Sequence, residues 1–274
     1  MKPFRFLYPA DPLDPRSIDE MFAPESAALR EAGFATSVVE LEALPSGRPR
    51  LAPAIAPGEQ VVYRGWMLTI EEYTALMSLI ESRGGVPLAS PETYLLTHHL
   101  PRWYPLLRDL TPETVVLSPE DDLPARLAAL GWQRFFVKDY VKSLKTSIGS
   151  LIDRPEDVDA VVAALETYRG QIEGGICVRR YEPLRSETER RFFVLGGVSW
   201  ASDPATEIPE PVAACADRIA SPFFSVDVAL REDGVARIVE IGDGQVSDLV
   251  GWSVERFVEM WQRSPGSSAP GSST

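Results

Sequence analysis

The chain has 274 residues, 45% of them hydrophobic, and its 27 Lys+Arg against 40 Asp+Glu give a formal charge of −13. That excess of acid excludes a nonspecific grip on nucleic acid or on an anionic membrane, so any bound anion must be met by a local positive pocket. No apolar run approaches the roughly 18 residues that span a bilayer, and the opening "MKPFRFLYPADPLDP" is too short and too proline-cut for a signal segment.

Taken in chain order, "FRFLYP" reads as a strand, "SIDEMFAPESAALREAG" as a helix starting near Ser17, "ATSVVEL" and "EQVVYRGW" as two more strands, and "TIEEYTALMSLIESRGG" as a helix. That alternation predicts a small α/β layer with a largely parallel sheet. A short strand and a proline-broken helical stretch follow in "VPLASPETYLLTHHLPRWYPLLRDL", then a helix in "PARLAALGW" ending at Gly131, and a strand in "RFFVKDY". Beyond the amphipathic helix of "PEDVDAVVAALETYRGQI", strands dominate: "GICVRRYEPL", "ERRFFVLGGVSWAS", "FFSVDVALRED" and "ARIVEIGDG". This second pattern predicts an antiparallel α+β layer, which places a domain boundary near residue 95. The expected division is an α/β domain over 1–95, an α+β domain over 96–263, and a disordered tail over 264–274, "SPGSSAPGSST". The protein is expected to be soluble and cytoplasmic, with no nucleic-acid or membrane partner. Oligomeric state leaves no trace in the sequence. Cys177 lies in an apolar strand pattern, so a buried thiol is expected rather than a disulfide to Cys215. His98 and His99 are the only histidines, which leaves no His/Cys metal constellation.

Two stretches carry chemistry. In "FFVKDYVKSLKTSIGS", Lys138 ends a buried strand, a costly position unless its ammonium reaches water or an anion. The segment from Ser143 to Ser150, with Lys145 and Ser147 inside it, can offer backbone N–H groups and hydroxyls to phosphate oxygens. A solvated lysine face is the alternative, since neither G-x-x-x-x-G-K-[ST] nor G-x-G-x-x-G occurs. In "SVDVALREDGVARIVEIGDGQVSDL", Asp227 lies on one strand and Glu240 on the returning one, with Asp243 just beyond. Carboxylates facing each other across a hairpin repel unless a cation joins them, and an oxygen-only set suits Mg²⁺ held together with substrate phosphates. The alternative is a pair of acids on the solvated face of an edge hairpin.

The order of these motifs resembles the ATP-grasp superfamily of carboxylate–amine ligases, over roughly residues 95 to 260. "FFVKDY" is similar to the strand whose lysine binds ATP phosphates, "ICVRRYEP" to the strand whose end contacts adenine, "ETERRFFVLGG" to the acid-x-Arg strand, and "VDVALREDGVARIVEIGD" to the metal-binding hairpin. The resemblance implies an ATP-grasp fold behind a small α/β domain. It also implies an ATP- and Mg²⁺-dependent ligase that activates a carboxylate as an acyl phosphate and couples it to an amine or another nucleophile. It assigns Lys138 to the α- and β-phosphates, Arg180 and Tyr181 to backbone contacts with adenine, Glu189 to the ribose, and Arg191 to the transferred phosphate. Glu182 and Glu187 are rivals for the ribose. Lys145 and Ser147 belong to the loop over the phosphates, and Asp227 and Glu240 are the metal ligands. Where the family often carries asparagine two positions after the glutamate, this chain has Gly242, and Asp243 is the candidate replacement. The partner is a small-molecule, peptide or protein substrate bearing a carboxylate or an amine. Arg64, at the end of "VVYRGW", is a candidate two-point contact to a substrate carboxylate or phosphate, the alternative being an exposed strand-end arginine. A nucleotide-binding module without catalysis, and a phosphotransferase on the same fold, are the competing functions.

Overall fold

In the computed structural model, residues 4–47, 49–141, 149–169 and 172–264 are described. Lys145, Ser147 and nearly all of the expected tail lie outside them. The first sheet contains β1 (Phe4–Pro9), β2 (Ala35–Val39), β3 (Leu51–Ala52), β4 (Gln60–Tyr63) and β5 (Val86–Pro87), in the order β3-β2-β1-β4-β5. All neighbours are parallel except the short edge strand β3, and Phe6 of β1 sits opposite both Thr36 and Val62. Two helices accompany it, α1 (Ala23–Glu31) and α2 (Ile70–Ser82). The latter opens on a capping box in which Thr69 and Glu72 satisfy each other's backbone N–H. The helix expected from Ser17 begins six residues later, at Ala23. Asp19 caps a single 3₁₀ turn at Glu20–Phe22, and Pro24, which lacks an N–H, is suited only to the first turn of the helix that follows.

Two short helices, α3 (Pro91–His98) and α4 (Leu100–Leu107), cross to the rest of the chain and break at His99, just ahead of Pro101. Beyond them lies an antiparallel sheet of β6 (Thr114–Leu117), β7 (Phe135–Lys138), β8 (Leu151–Ile152) and β9 (Ile176–Arg180), in the order β6-β9-β7-β8. Helices α5 (Leu123–Leu130) and α6 (Val158–Arg169) cover it, and Gly131 ends α5 in the left-handed conformation at φ 65°. The third sheet is also antiparallel: β10 (Leu184–Leu195), β11 (Val198–Ala201), β12 (Phe223–Arg231) and β13 (Ala236–Asp243), in the order β11-β10-β12-β13. It is completed by α7 (Glu210–Arg218) and α8 (Val254–Gln262). Among the described residues no helix is long and apolar enough to cross a membrane.

Helix α8 joins the first sheet to the third. Its Val254, Phe257, Val258 and Trp261 fall at the i, i+3, i+4, i+7 spacing of one helix face. The Trp261 ring meets Phe4 at 5.2 Å and Phe6 at 5.0 Å from β1, and Phe223 at 5.0 Å from β12, all edge-to-face. Such pairs add about 0.5–1.5 kcal/mol each beyond their buried area. The first sheet is therefore packed through an aromatic core onto the third, and the site described next lies alongside that junction.

Candidate functional site

Three adjacent strands of the third sheet place Arg191, Asp227 and Glu240 in a row, with Asp227 opposite Arg191 on one side and opposite Glu240 on the other. The second of these pairings depends on a β-bulge. Near the turn, Leu230 faces Ala236, Ala229 faces Arg237 and Val228 faces Ile238. Continued unchanged, that register would set Asp227 against Val239. The extra residue, Val239, is accommodated on β13 opposite the step from Val228 to Asp227, which advances the pairing by one and brings Glu240 opposite instead.

Both acids are met by cations. The Arg191 guanidinium donates two hydrogen bonds to Asp227, Nε to Oδ1 at 2.8 Å and Nη2 to Oδ2 at 2.6 Å, and a third to the Asp248 carbonyl at 2.9 Å. Lys138 reaches across from β7 of the second sheet, and its Nζ lies 2.6 Å from Glu240 Oε1. Burial works against the Arg191 charge, but the hydrogen bonds and the negative charge of Asp227 outweigh it and hold the guanidinium above its ordinary pKa. Arg191, Asp227 and Glu240 line a cleft of about 500 Å³ together with Glu189, Phe136, Met67 and His98, and Lys138 joins them through its contact with Glu240. Asp227 and Lys138 are buried, whereas the Glu240 side chain is 39% exposed. Two cations, Lys138 and Arg191, thus pair with two carboxylates, Glu240 and Asp227, drawn from two sheets, and Glu189, Asp243 and Asp248 border the same cleft.

The other candidates separate clearly. Glu189 borders the cleft, while its rival Glu182 is committed to Arg237 at 2.8 and 2.9 Å. The Arg180 side chain is exposed and lies 3.6 Å from Glu113. At this turn the Arg180 N–H is given to the Glu113 carbonyl at 2.7 Å and the Tyr181 N–H to the Arg134 carbonyl at 3.2 Å, so neither N–H is available to a base here. The Tyr181 ring is capped by the Arg134 guanidinium at 4.4 Å. Its neighbour Arg179, passed over in the sequence, is the buried arginine of β9, donating to the Val239 carbonyl at 2.6 Å, directly before Glu240.

Two expectations are corrected by the structure. Arg64 does not face a substrate: it is 2% exposed, donates to both Glu25 oxygens at 2.9 and 2.7 Å, and binds the carbonyls of Gly244 and Ser247. Burial opposes its charge, and the charge and hydrogen bonds of Glu25 more than restore it. Asp243 borders the cleft, but its carboxylate is fully buried and occupied, with Oδ1 accepting from the Gln245 N–H at 3.0 Å and Oδ2 from Thr97 Oγ1 at 3.3 Å. Burial raises its pKa to about 7 against those hydrogen bonds, which marks it as the cap of the turn after β13 rather than as a partner of Glu240. The glycine in the family's asparagine position also has a local cause. A Cβ on Gly242 would fall 2.9 Å from Ser225 Oγ and 3.0 Å from Ser247 Oγ, two hydroxyls hydrogen-bonded to each other at 2.8 Å. Ser225, two residues before Asp227 and so on the same face of β12, carries a periodicity signal that the sequence reading did not use.

The described residues contain no group of three or more His, Cys, Asp or Glu side chains arranged to hold a metal. A site of two carboxylates fits Mg²⁺ only in the mode in which phosphate oxygens and water complete the shell. Asp227 and Glu240 are the residues that would hold it.

The fold is that of an ATP-grasp protein: residues 129–261 match the family model described as "ATP-grasp domain, R2K clade family 3", and the architecture recurs in solved ATP-grasp ligases. D-cycloserine synthetase DcsG superposes with a TM-score of 0.60 at 18% identity, over 93% of this chain and 97% of that one. The ATP-grasp ligase PsnB, complexed with precursor peptide PsnA2 and AMPPNP, gives 0.59 at 13% identity, over 93% and 95%. The D-alanine-D-alanine ligase from Coxiella burnetii gives 0.58 at 17%, over 90% and 87%. At these identities it is the fold that is shared. No curated protein matches the chain.

Proposed function

We propose that the protein is an ATP- and Mg²⁺-dependent ligase that joins a carboxylate to an amine or a related nucleophile. The observation that carries this reading is the convergence of Lys138 and Arg191 on the paired acids Glu240 and Asp227 at one cleft, with Lys138 Nζ 2.6 Å from Glu240 and Arg191 Nη2 2.6 Å from Asp227. In this reading residues 96–263 bind the nucleotide and residues 1–95 border the acceptor side. Lys138 holds the α- and β-phosphates, Glu189 the ribose, and Arg191 the phosphoryl group in transfer. The substrate carboxylate attacks the γ-phosphorus, ADP leaves, and an acyl phosphate forms. The amine then attacks the acyl carbon, phosphate leaves, and the amine gives up a proton. When bound, Mg²⁺ offsets phosphate charge. The protein's part is to orient the phosphates and to hold fixed positive charge where negative charge gathers, so no side-chain nucleophile is required. The solved ligases named above support this class of chemistry, with amino acids or a precursor peptide named among them.

Calorimetry with Mg·ATP is the test, followed by ADP release with pools of amino acids and peptides. Saturable binding and acceptor-dependent ADP release are expected. Absence of binding at millimolar nucleotide would sink the proposal. Binding without ADP release would favour a non-catalytic nucleotide module, and a phosphorylated end product in place of an amide a phosphotransferase.

A further inference from the structure

Two of the acids that line the cleft, Glu240 and Asp227, are already paired with cations. Glu240 is held by Lys138 at 2.6 Å and Asp227 by the two-pronged contact of Arg191 at 2.8 and 2.6 Å. These are the same cations that the reading above, on which this inference rests, gives to the phosphates. We propose that nucleotide and metal enter by exchange of partners: phosphate oxygens draw Lys138 and Arg191 away from the acids while the divalent cation takes Glu240 and Asp227, so that the two ligands bind synergistically and each alone binds poorly.

The physical basis is charge balance under partial burial. Side-chain exposures are 6% for Lys138, 15% for Arg191 and 10% for Asp227. Separating such a pair without replacing both partners strands a poorly solvated charge. The four side chains sum to zero charge among themselves, beside the further carboxylates of Glu189, Asp243 and Asp248 that border the cleft. Metal alone must compete with Lys138 and Arg191 for the carboxylate oxygens of Glu240 and Asp227. Metal-free nucleotide adds about four negative charges and must compete with Glu240 and Asp227 for the cations. Together the ligands repair each broken pair, with phosphate on the cations and metal on the carboxylates. Lys138 and Glu240 lie on different sheets, so this exchange also releases a direct ionic link across the cleft.

The exchange predicts crossed effects that ordinary ligand roles do not. Lys138→Met should weaken binding of Mg·AMPPNP yet raise the affinity for Mn²⁺ alone, read by electron paramagnetic resonance, by about tenfold, because the ammonium no longer competes for Glu240. Glu240→Gln should weaken the metal-supported complex yet tighten binding of AMPPNP in EDTA, read by calorimetry, by a similar factor, because Lys138 is released. Arg191→Met and Asp227→Asn test the second pair in the same way. Glu240 is the most exposed of the four, so Glu240→Gln keeps the test alive if a buried variant fails to fold, with circular dichroism and melting confirming each folded protein. A crossed gain in folded variants supports the exchange. If the parent binds Mg·AMPPNP but the folded variants show no gain for either single ligand, the exchange is overturned and the pairs are structural ties. If the parent does not bind Mg·AMPPNP at all, the site reading itself fails and the exchange falls with it.

Discussion

Replacing Arg64 by methionine is the sharpest test of what the buried arginine does. The Arg64–Glu25 pair has side-chain exposures of 2% and 6%, and Glu25 also accepts from the Tyr8 hydroxyl at 2.8 Å. Removal of the guanidinium leaves Glu25 buried against one neutral donor and strips the Gly244 and Ser247 carbonyls of theirs. Breaking a buried pair from one side costs about 3–5 kcal/mol, against about 0–1 kcal/mol for a surface pair. The guanidinium also stands 4.8 Å from the centre of the Phe257 ring, a contact that methionine partly keeps through its apolar stem. Urea unfolding of the parent, Arg64→Met, Glu25→Gln and the double variant closes a thermodynamic cycle. Arg64→Met should lose about 3–5 kcal/mol, and the double variant should lose less than Arg64→Met alone, because no uncompensated charge remains. A loss below about 1 kcal/mol, or a double variant that loses the sum of both singles, would refute the clasp. A substrate-binding Arg64, as the sequence suggested, would instead leave stability unchanged.

Asp243 gives a pH prediction. Burial raises its pKa to about 7 in the folded chain from an ordinary value of 3.8. Between those values the folded state holds a proton that the unfolded state has released, so this contribution to stability is complete below pH about 4 and lost as pH rises through about 7. Asp243→Asn should gain on the parent by up to about 4 kcal/mol between pH 4 and 8, and parallel stability curves for the two proteins would refute the assignment. Cys177 and Cys215 are free and buried, and burial pushes both thiols up to about 12. A thiol reagent at neutral pH should therefore label neither in the native protein and both after denaturation; rapid native labelling of either would contradict the buried placement.

What was legible in the sequence is what local pattern encodes. Alternation located the strands bearing Lys138, Arg191, Asp227 and Glu240, and Gly131 marked the end of its helix because only glycine accepts the left-handed cap there without strain. Parallel pairing in the first sheet and antiparallel pairing in the other two also followed from element order. Two-residue strands such as β3 and β8 were missed because so few residues give no period. Arg64 was misread because its meaning lies in Glu25, thirty-nine positions away, and in two carbonyls that follow β13. An arginine at the end of a strand looks the same in sequence whether its partner is a ligand or a buried acid.

The hairpin of Asp227 and Glu240 shows how a pairing can rest on a feature the sequence hides. Thirteen residues separate Asp227 from Glu240, and plain antiparallel counting back from the turn sets Asp227 against Val239, with Glu240 on the opposite face. The bulge restores the pair, and it does so beside the point where β13 is held from outside its own sheet: Arg179 of β9 binds the carbonyl of Val239, and Lys138 of β7 binds the side chain of Glu240. Both anchors come from the second sheet. The position of Glu240 is thus set jointly by a local register shift and by two side chains from the facing layer. The buried clasp of Arg64 on Gly244 and Ser247 fixes the turn just beyond. All three sheets therefore converge on the nine residues from Val239 to Ser247, and a change in the packing of any of them reaches the carboxylate pair.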